Sequence, residues 1–103
     1  MLFVETPIFT KRIKQMMSDD AYADMQQALA DKPELGPVMK KSGGLRKVRW
    51  AREGEGKSGG FRVIYYYAKA LNQHWMIFIF GKNEQDNLTD EQLKKLRNIV
   101  EGW

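Results

Sequence analysis

The chain has 103 residues, no cysteine, one histidine and a formal net charge of +4, which fits one domain spanning residues 1–103. These figures exclude disulfides and thiolate metal centres, and no apolar run approaches the ~20 residues that a membrane helix requires. The opening residues, MLFVETPIFT, lack a basic leader followed by an apolar core and a small-residue cleavage site, so no secretory signal is visible and a reducing cytoplasm is the expected compartment.

Leu2–Glu5 is a short apolar strand candidate. Thr6 followed by Pro7 reads as a helix N-cap with proline at the first helical position. Ile8, Phe9, Ile13, Met16 and Met17 then recur at helical spacing and are assigned to the core. Ser18-Asp19-Asp20 opens a second helix, with acids placed favourably for its dipole. Tyr22, Met25 and Leu29, with Ala21 and Ala28, form its buried stripe, and Lys32-Pro33 ends it. Two short helices with almost no linker predict a helical hairpin laid on one face of a sheet.

Residues 33–44 form a Pro- and Gly-punctuated loop that carries Lys40 and Lys41. A strand follows at Leu45–Trp50. Alternation puts Lys47 and Arg49 on one face with Leu45, and Val48 and Trp50 on the other. Phe61–Tyr67, FRVIYYY, is a second and stronger strand signal. Between them lies a charged loop with Gly54, Gly56, Gly59 and Gly60. Its GEGKSGG run lacks the gap before GKS and the strand–loop–helix context of a phosphate-binding loop, so it reads as a hairpin loop.

After a turn at 68–73, His74–Phe80 is almost wholly apolar, as expected of a central strand covered on both sides. His74 opens that strand, where a structural role is the expectation. Thr89-Asp90-Glu91-Gln92 matches a capping box, and Leu93, Leu96, Ile99, Val100 and Trp103 give the apolar face of a last helix. The order is β-α-α-β-β-β-α, a single α+β domain with an antiparallel-rich sheet, the hairpin of helices on one face and a C-terminal helix.

The positive charge is localised. Lys40, Lys41, Arg46, Lys47, Arg49, Arg52, Lys57 and Arg62 sit close together in the chain, diluted only by Glu53 and Glu55, and the other acids gather elsewhere. Such a field suggests an acidic partner, a nucleic-acid backbone first, although a solvated strand face gives the same pattern. If the strands pair, Lys47, Arg49, Arg62 and Lys82 can converge on one sheet surface. A scissile phosphodiester suits such a cluster. Arginine forks grip phosphate oxygens, a lysine crowded by cations has a lowered pKa, and RNA brings its own nucleophile in the 2′-hydroxyl, so neither a metal nor a cofactor is called for. Plain phosphate binding by a non-catalytic RNA- or DNA-binding module, and docking of an acidic peptide on a protein-interaction domain, remain the alternatives.

The GGLRKVR strand, the GGFRVIYYY strand and the closing FGKNE, in that order and spacing, resemble the RelE superfamily of bacterial toxins, and within it the HigB-type branch. The resemblance covers nearly the whole chain. It implies a type II toxin: a ribosome-dependent endoribonuclease that cuts mRNA in the A site of the 30S subunit. Its partner would be a helix-turn-helix (HigA-like) antitoxin, through which the complex binds operator DNA. Residue by residue, Lys47 and Arg49 match the family's basic pair, Arg62 the arginine that holds the scissile phosphate, and Lys82 the basic residue after glycine at the end of the last strand. Arg46, Lys57, Lys40, Lys41 and Asn83 are further RNA contacts on this reading, and Trp50 either stacks on a base or packs in the core. The chain departs from some members at Asn83, where they have arginine, and at residues 86–89, where they have a catalytic tyrosine and this chain has Asp-Asn-Leu-Thr. The general acid is therefore unassigned, with Tyr65, Tyr66 and Tyr67 as substitutes against a packing role.

Overall fold

Each helix begins on a side chain that satisfies its orphan N–H groups. In the computed structural model, which describes residues 1–51 and 60–103, Thr6 Oγ1 accepts from the Phe9 N–H at 3.1 Å and donates to the Ile77 carbonyl at 2.8 Å. One hydroxyl thus caps the first helix and ties it to the sheet. Ser18 caps the second helix through the Ala21 N–H. Thr89 and Gln92 form a complete capping box at the third, at 3.1 and 3.0 Å.

The elements are β1 (Leu2–Glu5), α1 (Pro7–Met16), α2 (Asp19–Asp31), β2 (Arg46–Trp50), β3 (Phe61–Ala68), β4 (Gln73–Gly81) and α3 (Asp90–Glu101). A single 3-10 turn, Lys69–Leu71, joins β3 to β4 and ends on Asn72 in the left-handed region. This is the expected β-α-α-β-β-β-α order. The four strands form one mixed sheet in the order β1-β4-β3-β2. β1 runs parallel to β4, and the other two pairings are antiparallel.

Both faces of the sheet are covered. Phe9 and Ile13 of α1 and Met25 and Leu29 of α2 pack on Val48, Val63, Tyr65, Met76 and Ile79. On the other side Leu96 of α3, with Leu93 and Val100, packs on Leu45, Ile64, Trp75, Ile77 and Phe80. Each fully buried aliphatic or aromatic side chain contributes about 1.5–3 kcal/mol, so the two layers, rather than helix propensity, hold the short helices in place. β4 lies between β1 and β3 and has both faces in core, which is why its sequence is a continuous apolar run. A register shift after Ile64 inserts Ile77 into the β4 side, so Ile77 and Phe78 both join the α3-side cluster.

The helix α3 ends at Glu101 with Gly102 as its cap. Trp103 therefore lies beyond the helix whose apolar face periodicity extended to it, yet it still meets the α3-side cluster. Its ring stacks on Trp75, 4.8 Å between centroids, and Trp75 stacks in turn on Tyr66 at 5.1 Å.

Candidate phosphate-binding site

Period-2 alternation along β2 buries Val48 and leaves Lys47 and Arg49 on the α3 side of the sheet. Pairing then does what the sequence of one strand cannot. Arg49 lies directly opposite Arg62 of β3, and Lys47 opposite Ile64. Like charges placed directly across two strands are destabilising, and this pair sits beside a third cation. Burial, then Arg49, then Arg62 pull the pKa of Lys47 below its ordinary value. Among the described residues, no carboxylate lies within ion-pair distance of Lys47 or Arg49.

The three cations differ in exposure. Arg49 is exposed and Lys47 half-buried, whereas Arg62 is only 4% exposed, with Nη1 donating to the Phe61 carbonyl at 3.3 Å. Arg62 is thus a covered charge behind the other two rather than an open part of the surface. Lys82 follows the last residue of β4. Its N–H donates to the Gly60 carbonyl at 3.1 Å, which places it next to the start of β3, and its side chain is exposed, as is that of Asn83. The turn that carries both is clamped by Glu84, which accepts from the Gly81 N–H and pairs with Arg12 at 2.6 Å. The Arg12 guanidinium holds the Glu84 carboxyl below its usual range. Arg12 Nε in turn donates to the Ile79 carbonyl at 2.7 Å.

The remaining candidates divide. Lys40 lines a cleft of about 370 Å³ with Lys47 and Asn87, between the loop at 37–40 and the start of α3. Lys41 lies beside α3, its carbonyl accepting from Arg97. Arg46 is on the other sheet face: its Nη1 donates to the Gly36 carbonyl at 2.8 Å and its Nη2 lies 4.0 Å from Glu34. Trp50 packs against the α1–α2 core, also on that face. The structure therefore does not bring Arg46 and Trp50 to the cationic cluster, because alternation along β2 turns them away from it. Lys57, Arg52 and the glycines at 54, 56 and 59 lie outside the described residues.

The tyrosines also separate. Tyr65 is buried, its hydroxyl donating to the Pro33 carbonyl and accepting from the Gly36 N–H. Tyr67 packs near His74, and Tyr66 stacks on Trp75. All three pair with β4 residues 74–76, towards the opposite end of β3 from Arg62. His74 is fully buried at that end, with Nε2 donating to the Leu29 carbonyl at 2.8 Å, in keeping with a structural role.

One residue of the site gave no sequence signal. Asn87 Oδ1 accepts from Lys47 Nζ at 3.3 Å across 40 positions of the chain. The segment stands out in the sequence only for lacking a tyrosine.

The constellation, two arginines and a perturbed lysine on one sheet face, is suited to an anionic oxygen-rich ligand. A family model described as the RelE toxin of the RelE/RelB toxin–antitoxin system matches residues 6–103, a span that includes every residue of the cluster. The chain belongs to the RelE family of toxins of toxin–antitoxin systems.

Proposed function

We propose that this toxin, as a member of the HigB-type branch, is a ribosome-dependent endoribonuclease that cuts mRNA in the A site of the 30S subunit. The observation that carries the reading is the direct opposition of Arg49 and Arg62 with Lys47 beside them. Guanidinium forks and an ammonium on one sheet face offer a phosphodiester several charge-assisted donors.

In the reaction, Lys47 takes the proton from the ribose 2′-hydroxyl. O2′ attacks the adjacent phosphorus, the P–O5′ bond breaks, and the 5′ oxygen leaves and takes up a proton. The products are a 2′,3′-cyclic phosphate and a 5′-hydroxyl. Depression of the Lys47 pKa increases its neutral, proton-accepting fraction near pH 7. Arg49 and Lys82, both exposed, meet the phosphate first and stabilise the charge that grows on its oxygens. Arg62 reinforces the positive field, and its contact with the phosphate requires its cover to part as RNA enters. The nucleophile belongs to the RNA, so the scheme uses neither a metal nor a protein nucleophile. Lys40, Lys41 and Asn83 extend the basic surface for the flanking backbone. In the cell the protein acts in the cytoplasm. A HigA-like helix-turn-helix antitoxin neutralises it there and carries the complex to operator DNA.

Primer extension on a translated message after induction tests this. Wild-type toxin gives new 5′ ends inside codons, and Arg62→Ala gives none while remaining folded by circular dichroism. Intact mRNA with wild-type toxin, together with ribosome or RNA affinity that falls steeply with salt, would replace the nuclease by a non-catalytic phosphate-binding module.

A further inference from the structure

We propose that Asn87 is the positioning residue for Lys47, fixing its amino group from the α3 side of the cluster through an uncharged amide oxygen. The inference rests on the nuclease reading, in which Lys47 moves the proton. Lys47 Nζ donates to Asn87 Oδ1 at 3.3 Å. A lysine side chain carries about 2 kcal/mol of rotamer entropy, so a defined Nζ position needs a fixed partner, and Asn87 is itself braced. Gln85 Nε2 donates to the Asn87 carbonyl at 2.8 Å. The Gln85 and Gln92 amides exchange hydrogen bonds of 2.8 and 3.4 Å. Gln92 is also half of the α3 capping box. The rigid first turn of a helix therefore sets where Asn87 stands.

The chemistry of the partner matters as much as its position. Among the described residues, the charged groups around Lys47 are Arg49 on its own strand, Arg62 on β3 and Lys40 in the loop that lines the same cleft, all cations. Asp86 adjoins Asn87 but makes no ion pair with Lys47 among the described residues. An amide oxygen accepts an N–H from either protonation state. In the neutral amine that N–H points at the amide, so the lone pair is directed away from it, free to face a 2′-hydroxyl. A carboxylate in the same place would hold Nζ as well but would favour the ammonium.

Two substitutions at this exposed position separate orientation from charge. The first measurement is an NMR titration of the Lys47 ε-carbon in the full chain, without RNA. Asn87→Asp is expected to raise the Lys47 pKa by about one unit or more. The second is single-turnover cleavage of mRNA on programmed ribosomes across pH. Asn87→Asp should lose activity at pH 7 and recover it as pH rises, whereas Asn87→Ala should lose about tenfold or more at every pH. Melting temperatures equal to wild type exclude a folding defect as the cause. An Asn87→Asp titration and pH profile superimposable on wild type, or Asn87→Ala at the wild-type rate, overturns the proposal. If Lys47 titrates as expected but wild-type toxin leaves mRNA whole, the contact stands and the nuclease reading alone fails. If mRNA is cut and neither variant changes the titration or the profile, the inference about Asn87 alone fails.

Discussion

Arg49 and Arg62 occupy directly opposed positions on antiparallel β2 and β3, so two like charges face each other across the strands at the site. Removing one of them should relieve that opposition. Arg49→Thr, which keeps a good strand former at an exposed position, is expected to stabilise the protein by about 0.2–1 kcal/mol, seen as a melting temperature raised by a few degrees. Added salt should raise the melting temperature of wild type more than that of the variant, because only wild type has like charges opposed across the two strands. A lower melting temperature for Arg49→Thr at low salt would show that the pair is not under strain.

Tyr65 pins the loop that precedes β2. Its hydroxyl donates to the Pro33 carbonyl at 2.9 Å and accepts from the buried Gly36 N–H at 3.0 Å. Tyr65→Phe keeps the ring in the core but leaves both backbone groups without that partner. The expected loss is about 1–3 kcal/mol, measured by urea denaturation. A change below 0.5 kcal/mol, as for an ordinary surface substitution, would mean that water replaces the hydroxyl.

Gly36 lies against β2 so closely that a Cβ there would stand 2.9 Å from the Lys47 carbonyl carbon and oxygen. Those neighbours are backbone and cannot rotate away. Gly36→Ala is therefore expected to cost about 1–3 kcal/mol and to displace Lys47, lowering cleavage further than the loss of stability explains. Wild-type cleavage by the folded fraction of Gly36→Ala would show that β2 tolerates the shift.

His74 makes stability depend on pH. Nε2–H donates to the Leu29 carbonyl, so the buried ring is neutral, and Nδ1 finds no hydrogen-bond partner among the described residues. Burial lowers its pKa from the ordinary 6.5. The unfolded chain then binds a proton near pH 6.5 that the folded one refuses. This stability is fully present above about 6.5 and falls as pH drops below it, by at most about 1.4 kcal/mol per pH unit. His74→Gln should lose less stability than wild type between pH 7 and 5 in urea titrations. Parallel losses in the two proteins would assign the acid sensitivity to other groups.

Much of this was legible in the sequence, because the short-range rules were obeyed locally. Thr6-Pro7, Ser18 and Thr89–Gln92 announced the three helix starts. Alternation in LRKVRW separated Lys47 and Arg49 from Val48 and Trp50. The same alternation sends Arg46 away from the cluster, so charge alone was a poor guide to which cations meet. The opposition of Arg49 and Arg62 depends on hairpin register, which the glycine-rich segment between the strands left open. Asn87 meets Lys47 only because α3 begins where it does. The extra residue in β4 and the departure of Trp103 from α3 are likewise set by tertiary packing. The burial of Arg62 follows from layers that no single strand describes.

The sheet order has a consequence for synthesis. β1 precedes the other strands in the chain, yet among the described residues it pairs with β4 alone, which ends at Gly81. While the polypeptide is still growing, its opening strand has nothing to pair with, and β2 and β3 can form no more than a marginal hairpin. The lid over their far side, α3, is made after all four strands. A nascent chain is thus expected to be inert until α3 has been made, and nonsense alleles anywhere before α3 is complete are expected to be harmless to the cell that carries them.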